Sequence, residues 1–496
     1  MDCKYTNIFV IFVLSMSGIL NIFLLSLPVL VRLALCYLVL RDKRVQETAM
    51  AWVLLMMFVP LAGFILYLVF GVDYRTVKAR NFIHGEAHRR LREEIPPDEV
   101  SALFPDDIPE SIDSAFTPLV RQNRACWEWN RVYGGNKFEV ITSGSRKKEL
   151  LLKDIREAQR SIHLEYFRFG NDASGREVRD LLIEKAREGV EVRFLLNSIV
   201  ARRIPRKFWK PMEEAGIQVV RYTSISQGLR LFIMRLNCQQ HRKIVVIDGR
   251  IGYTGGMNIS DNYFNVWQDT HLRIEGPAVA RLQASFLDTW ISCKGTVEKP
   301  LGDYFRKVMP FEGGKPLQIV SDEADFPWHT TQMAYEWMLG NAREYVYFQT
   351  PYFVPPASFL LALKSAALRG VDVRVMIPRK VDTPILSHFN RGYYAECLEA
   401  GIKIIETDGE FNHSKTMVAD DYLSVVGATN LDVRSFTINN EINTFIYDRE
   451  TAVSFRKAFE DRLSGANEWT LESWLGSRTI KGMLISSFVR LFYREF

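Results

Sequence analysis

Residues 241–258, HRKIVVIDGRIGYTGGMN, and residues 413–430, HSKTMVADDYLSVVGATN, answer each other at a constant separation of 172 positions. In that register His241 matches His413, Lys243 matches Lys415, Asp248 matches Asp420, Gly255 matches Gly427 and Asn258 matches Asn430. Self-similarity at a long period marks a repeated structural unit. The likeness extends upstream, where REGVEVRFLLN around Gly189 resembles LRGVDVRVMIP around Gly370, and AGIQVV from Ala215 resembles AGIKII from Ala400. Each of these reads as a helix, a tight glycine turn and a buried β-branched strand. Residues 121–300 and 310–470 are therefore expected to be two copies of one α/β unit, the second continuing to 496 with a tail. Short apolar strands alternate with helical patterns over residues 177–188 and 359–368, which predicts a mixed sheet with helices on its faces in each copy. The first copy takes 25 residues from Gly216 to His241 where the second takes 12 from Gly401 to His413. The extra residues fall within 225–237, an apolar and basic segment that reads as a core helix, a surface loop or an interfacial lid.

The whole chain has 496 residues, 47% hydrophobic and 24% charged, with a formal net charge of +5. That is ordinary globular usage, which excludes collagen-like, disordered and small disulfide-scaffold classes. Six cysteines lie far apart with no CxxC pair, so neither a zinc knuckle nor a disulfide framework is indicated, and a reducing compartment is compatible.

The amino-terminal end has a different character. Residues 5–31 and 48–72 carry no charge, and each run exceeds the roughly 20 residues that cross a bilayer as a helix. A cleaved signal peptide fits poorly, because the first run is too long and no A-x-A-like site follows it. Trp52 and Tyr67 sit towards the ends of the second run and Pro60 lies inside it. Residues 1–75 thus read as a membrane anchor with two transmembrane helices. Arg75, Lys78, Arg80, Arg89, Arg90 and Arg92 after the second run outnumber Arg41, Lys43 and Arg44 between the two, which favours a cytoplasmic catalytic part. Residues 76–120 read as a linker, rich in proline over 96–119.

The repeat carries chemistry. Residues i and i+2 of a strand share a face, so His241 projects with Lys243 and His413 with Lys415. Asp248-Gly249 is a hairpin signal that returns Gly255 and Asn258 towards the same place, and Asp420-Asp421 takes that position in the second copy. Phosphodiester transfer needs this set: two imidazoles flanking phosphorus, one to attack and one to protonate the leaving oxygen, with lysines and asparagines on the non-bridging oxygens. Two more residues share the register, Asp269 and Glu441, each 28 positions after its own histidine. A carboxylate that receives an imidazole N–H fixes the tautomer and stabilises the charged ring. His163, His271, His329 and His388 lie outside the repeat and read as structural or accessory.

Both copies satisfy H-x-K-x4-D-x6-G-x-x-N, the signature of the phospholipase D superfamily, which they resemble. The wider text is similar to bacterial cardiolipin synthases of the long, membrane-anchored type: TPYFVPPASFLLALKSAALRGVDVRVMIP from Thr350, GATNLDVRSFTINNEINTFIYD from Gly427 and YTGGMNISDNYFNVWQDTHLRIEGPAV from Tyr253. Trp52, Pro60, Gly63, Tyr67 and Gly71 resemble their amino-terminal segment. Two departures are Gln239-Gln240, where an Arg-Asn pair commonly precedes the first histidine, and Ser414 in place of a small alanine. The resemblance implies two phospholipase D-like repeats with His241, Lys243, Asp248, His413, Lys415 and Asp420 as the catalytic set. It makes Asn258 and Asn430 phosphate contacts and Asp269 and Glu441 orienting groups, and it gives Asp248 and Asp420 structural salt bridges with hairpins and lysines. No metal, nucleotide or other cofactor is demanded, and no Walker-type loop, HExxH or CDP-alcohol transferase pattern occurs.

Eleven basic residues between Val192 and Ile247 (Arg193, Arg202, Arg203, Arg206, Lys207, Lys210, Arg221, Arg230, Arg235, Arg242 and Lys243) face two acidic ones, Glu213 and Glu214. Such a patch attracts anionic lipid or nucleic acid, and the apolar runs select lipid. The resemblance then implies phosphatidylglycerol as donor, attack by His241 to give a phosphatidyl-histidine, release of glycerol, and transfer to a second phosphatidylglycerol to make cardiolipin, with His413 as acid and then base. The alternatives are hydrolysis of the phospholipase D type, a nuclease on the same halves, phosphatidylethanolamine as co-substrate, or an inert lipid-binding scaffold, against which the intact histidines argue. The tail from Trp469 to Phe496 reads as a helix packed on the catalytic part or as one leaning on the bilayer.

Overall fold

The computed structural model describes residues 27–41, 46–71, 77–95, 103–197, 203–480, 482 and 485–486. The chain divides into two compact units, residues 1–74 and 75–496. In the first, a helix over residues 27–41 is followed by Gln46–Phe58, Pro60–Leu66 and a π-helical turn Tyr67–Gly71. Cys36, Val39, Met56 and Tyr67 form its small core, with the Trp52 ring edge-on to Tyr67 at 5.5 Å. Leu40, Phe58, Leu61 and Ile65 stay exposed.

Among the described residues the two expected transmembrane helices are not confirmed. Most of the first run, residues 5–26, lies outside the described residues. The second is divided at Val59, whose φ of −134° and ψ of 66° leave the helix. The cause is local: Pro60 lacks an N–H and bars the residue before it from the helical region. Among the described residues no helix is long and apolar enough to cross a membrane.

The second unit is organised by one sheet of fifteen strands. The first copy contributes β1 (Val132–Ile141), β2 (Ser161–Tyr166), β3 (Glu191–Leu196), β4 (Gln218–Arg221), β5 (Ile244–Ile247), β6 (Ile251–Gly255) and β7 (His271–Glu275). The second contributes β8 (Lys315–Asp322), β9 (Tyr345–Gln349), β11 (Asp372–Pro378), β12 (Lys403–Thr407), β13 (Thr416–Ala419), β14 (Leu423–Gly427), β16 (Glu441–Tyr447) and β17 (Asn467–Trp469), while β10 (Phe353–Val354) and β15 (Leu431–Asp432) pair separately. From the middle outward the order is β1-β7-β6-β5-β2-β3-β4 on one side and β8-β16-β14-β13-β9-β11-β12-β17 on the other. The halves are thus pseudo-symmetric about the antiparallel β1–β8 pair, which registers Val132 with Gln318 and Tyr133 with Leu317 and then shifts before Asn136. β5, β13 and β16 are buried at every position, on both faces, which is why they lack a clean apolar–polar alternation. The helices expected over 177–188 and 359–368 are Ala173–Arg187 and Ala357–Leu368.

Two readings are corrected here and a third is narrowed to one of its alternatives. The segment 76–120 is not simply a linker: Val77–Glu93 is a helix, because His84, Ala87 and Leu91 recur at helical spacing and bury one face. The basic patch is smaller than its charge count, since Arg193, Arg235, Arg242 and Lys243 are buried. Arg193 is held by Glu191 and Tyr304, and Arg235 by Gln227 and the Ser292 carbonyl. Arg203, Arg206, Lys207, Lys210 and Arg221 remain exposed; Arg202 lies outside the described residues. The insertion is a helix, Leu229–Asn237, pinned to the core by that buried Arg235, with Ile225 and Leu229 left exposed. In the tail, Leu471–Ser477 packs Trp474 on Tyr394 at 4.9 Å, as the packed reading expects; most of 481–496 lies outside the described residues.

Candidate active site

The two histidine-bearing turns meet at the pseudo-symmetry axis through a matched pair of backbone bridges. Gln240 bridges Asn440, and Gln268 bridges Asn412. The His241 N–H donates to Asn440 O at 3.0 Å, and the His413 N–H donates to Gln268 O at 2.7 Å. Asn440 and Gln268 directly precede Glu441 and Asp269. Each carboxylate is therefore delivered to the histidine of the opposite half.

His241 Nδ1 donates to Glu441 Oε1 at 2.9 Å, and His413 Nδ1 donates to Asp269 Oδ2 at 2.7 Å. Both carboxylates are fully buried, and the two histidines are 8% and 5% exposed. An Nδ1–H committed to a carboxylate leaves Nε2 of each ring with its lone pair free. Gly256 makes room for one of these pairs, since a Cβ there would meet Asp269 Oδ1 at 2.1 Å. The departure at Gln239-Gln240 belongs to the same junction: Gln239 O accepts the Asn440 N–H, and the Gln240 side chain joins Glu165 and Asn440. Arg242 next to it spans the halves, bound to Glu165 and Glu323. Ser414 accepts a hydrogen bond from Thr270 at 3.1 Å.

Lys243 and Lys415 are buried and fold back so that each Nζ donates to the carbonyl of its own histidine, Lys243 at 2.6 Å. Burial lowers the Lys243 ammonium to about 7 and Lys415 to about 8. Burial and the Lys415 charge hold the His413 imidazole down to about 4; burial also lowers His241, against the upward pull of Glu441. Both rings are then neutral near pH 7 in the free site, the state an attacking imidazole needs and one from which an acid must first gain a proton. A lysine that titrates near 7–8 loses its charge on the alkaline side, whereas the histidines gain theirs only below their usual range. The expected kcat/KM profile therefore has an alkaline limb between about pH 7 and 8 and an acid limb below about 6.5. An alkaline limb first seen above about pH 10 would refute the lowering of both lysines by burial.

The two asparagines present different atoms, a donor at Asn258 and an acceptor at Asn430. Asn258 Oδ1 accepts the Arg168 N–H at 3.0 Å, leaving its buried Nδ2 without a hydrogen-bond partner; the buried Asn430 Oδ1 is also unpartnered. Asp248 and Asp420 do not join the site, nor do they bind the lysines as the resemblance implies. They sit at the far ends of β5 and β13, with positive φ of 54° and 48°, and each carboxylate collects three backbone N–H groups. Those are Gln159, Arg160 and Ser161 for Asp248, and Arg343, Glu344 and Tyr345 for Asp420. The turn forces the left-handed conformation that aspartate tolerates, and this aims the carboxylate at the start of the neighbouring strand rather than at the histidine. Of the lone histidines, His163 and His271 are buried and kept neutral by burial, His163 against Gln283 and Arg193.

Several neighbours of the site carry no motif. Phe167 packs edge-on to His241 at 4.9 Å, and Tyr263, Trp267 and Phe411 surround His413 at 5.3–5.6 Å. The buried Lys147 donates to Met257 O at 2.6 Å, and burial pushes its ammonium well below the usual lysine range, with Asp269 pulling the other way. Its only sequence trace is one of two adjacent lysines on an amphipathic helix.

This geometry agrees with the comparisons to known proteins. The family model described as "Cardiolipin synthase, PLD-like domain" matches residues 151–290 and 336–463, and "Phospholipase_D-nuclease N-terminal" matches 25–71. The major cardiolipin synthase ClsA of Bacillus subtilis is 35% identical over 93% of this chain and 96% of its own. A cardiolipin synthase of Staphylococcus aureus is 35% identical over 87% and 88%. Among solved structures, a phosphatidylserine synthase of Haemophilus influenzae shares the fold at 13% identity, with a TM-score of 0.56, covering 75% of this chain and 97% of its own. With two signature copies assembled around one pair of crossed histidine–carboxylate dyads, the chain belongs to the cardiolipin synthases of the phospholipase D superfamily, and it is a phosphatidyltransferase.

Proposed function

We propose that the chain makes cardiolipin from two molecules of phosphatidylglycerol at a membrane surface, with its catalytic part in the cytoplasm. The observation that carries the reading is the crossed pair of buried dyads, in which each imidazole presents Nε2 and each Nδ1–H is held by a carboxylate. His241 Nε2 attacks phosphorus of the donor, the bond to the glycerol headgroup oxygen breaks, and this oxygen takes the proton of His413, which gains it on Nε2 when the anionic phosphate binds beside the ring. His413 then removes a proton from the terminal hydroxyl of a second phosphatidylglycerol, whose oxygen displaces His241. Atoms balance as two phosphatidylglycerols to one cardiolipin and one glycerol. The order of the two histidines follows the resemblance described above. Lys243 and Lys415, with Asn258 and Asn430, hold the non-bridging oxygens in place of a cation. The apolar runs 5–31 and 48–72 support attachment to the bilayer through two spans, and the exposed basic residues Arg203, Arg206, Lys207, Lys210 and Arg221 support attraction to anionic lipid.

Mass spectrometry of products from pure phosphatidylglycerol tests this directly. Cardiolipin and glycerol in equal amounts are expected, and cardiolipin supplied with excess glycerol should return phosphatidylglycerol through the same intermediate. Phosphatidic acid as main product would replace the transferase with a hydrolase, and product formed only with phosphatidylethanolamine would change the acceptor.

A further inference from the structure

Behind Arg242, away from the crossed dyads, two helices bring together a second set of titratable groups. The helix Val77–Glu93 places His84 and His88 one turn apart on its buried face, and the helix Val279–Ser292 places Asp288 opposite them. His84 Nδ1 lies 2.8 Å from Asp288 Oδ2, and His88 Nε2 lies 3.1 Å from Asp288 Oδ1. The two rings lie nearly parallel, 12° apart, and His88 rests on Trp127. One potential ligand atom from each residue falls within 4.8 Å of the others.

We infer that His84, His88 and Asp288 form a structural site for a divalent transition-metal ion of the zinc type, separate from the phosphodiester centre. Three observations carry this. First, the short distances are not aligned hydrogen bonds: His84 Nδ1, His88 Nε2 and Asp288 Oδ1 are buried and have no hydrogen-bond partner. Unaligned lone pairs converging in a dry place suit a cation better than a shared proton, which can serve only one of the contacts. Second, the remaining ring nitrogen of His84, Nε2, lies 3.5 Å from Asp325 Oδ1. A carboxylate behind the free N–H of a ligating imidazole is the usual outer support of such sites. Third, four buried carboxylates, Glu165, Asp288, Glu323 and Asp325, face three buried guanidinium groups, Arg235, Arg242 and Arg281, so a further positive charge is called for beside His84, from a bound cation or from a proton on that ring. Two imidazoles and a carboxylate are the ligand types that zinc takes, and a small cavity lined by His88, Trp127, Asp288 and Glu323 offers a water position beside them. Two histidines at i and i+4 on one helix are the spacing that places both rings on one ion. The ion would staple the first helix of the catalytic unit to the helix beneath β5 and steady the Glu323 that holds Arg242.

The test uses the tag-free full-length protein purified in detergent. Elemental analysis should find about one equivalent of metal per chain. After chelator stripping, titration with Co2+ should reach the same stoichiometry and produce the visible absorption of a low-coordinate cobalt site. Asp325→Asn should weaken binding about 10- to 100-fold, as loss of an outer carboxylate does, and His88→Ala and Asp288→Asn should weaken it further. These readouts are independent of lipid turnover, so a failed transferase assay leaves them intact. Wild-type protein that takes up no cobalt, or a His88→Ala variant that binds as tightly as wild type, would overturn the site and leave the cluster held by a proton on His84.

Discussion

His241→Ala and His413→Ala each bring transferase turnover down to background while the protein stays folded. Acid–base catalysis alone is worth roughly 10²- to 10⁴-fold, and loss of the nucleophile removes the covalent route altogether. The halves share one centre, so neither histidine can cover for the other. The sheet is laid out by strands that contain neither residue, and the circular dichroism spectrum and melting temperature of both variants should stay near wild type. A single variant retaining more than about a tenth of wild-type activity would contradict the two-histidine mechanism. Mass mapping of a trapped phosphatidyl-peptide assigns the attacking residue, with His241 expected.

Glu441→Gln and Asp269→Asn have the next largest effect, because an amide in place of either carboxylate can turn its NH₂ towards Nδ1 and select the wrong tautomer. Orienting carboxylates of this kind have been worth up to about 10⁴-fold, and a loss of about 10²- to 10³-fold is expected here. The crossed arrangement makes the prediction specific. Glu441→Gln should act through His241, on attack at the donor, and Asp269→Asn should act through His413, on departure of glycerol. A donor whose leaving group needs no proton, such as a nitrophenyl ester, separates the two roles: its burst should be spared in Asp269→Asn and lost in Glu441→Gln, and with the natural donor kcat should fall more than KM rises. Wild-type rates in both variants would reduce the crossed pairs to packing.

Much of this was open to reading from one register. Five positions at one offset, four of them polar, give two copies, and the mirrored strand orders about β1 and β8 are what two copies produce when their sheets join. The same offset picks out Asp269 and Glu441 but says nothing of which ring each one meets. Distance along the chain measures position within β7 and β16, whereas the partner is set by the junction between the halves and its two backbone bridges. Arg242 and Arg235 illustrate a different gap: a count of charges carries no mark of burial, and their partners Glu165, Glu323 and Gln227 come from remote strands and turns. The helix Val77–Glu93 is hard to read because arginines and glutamates cover its outer face, while its inner face is made of His84, Ala87 and Leu91 rather than a full apolar stripe. Asp248 and Asp420 are the reverse case, motif residues whose conspicuous spacing reflects the architecture of a turn.

The exchange of carboxylates between halves also has a consequence in time. A ribosome releases the first copy before the second exists, and that copy holds His241 and Asp269, which are not partners. Until β8 docks on β1 and Glu441 arrives, His241 has no carboxylate to fix its tautomer, and no second imidazole stands ready to protonate a leaving group. A nascent or truncated chain near a bilayer is therefore inert towards its lipids, and the enzyme becomes able to cut a phosphodiester only once its fold is complete.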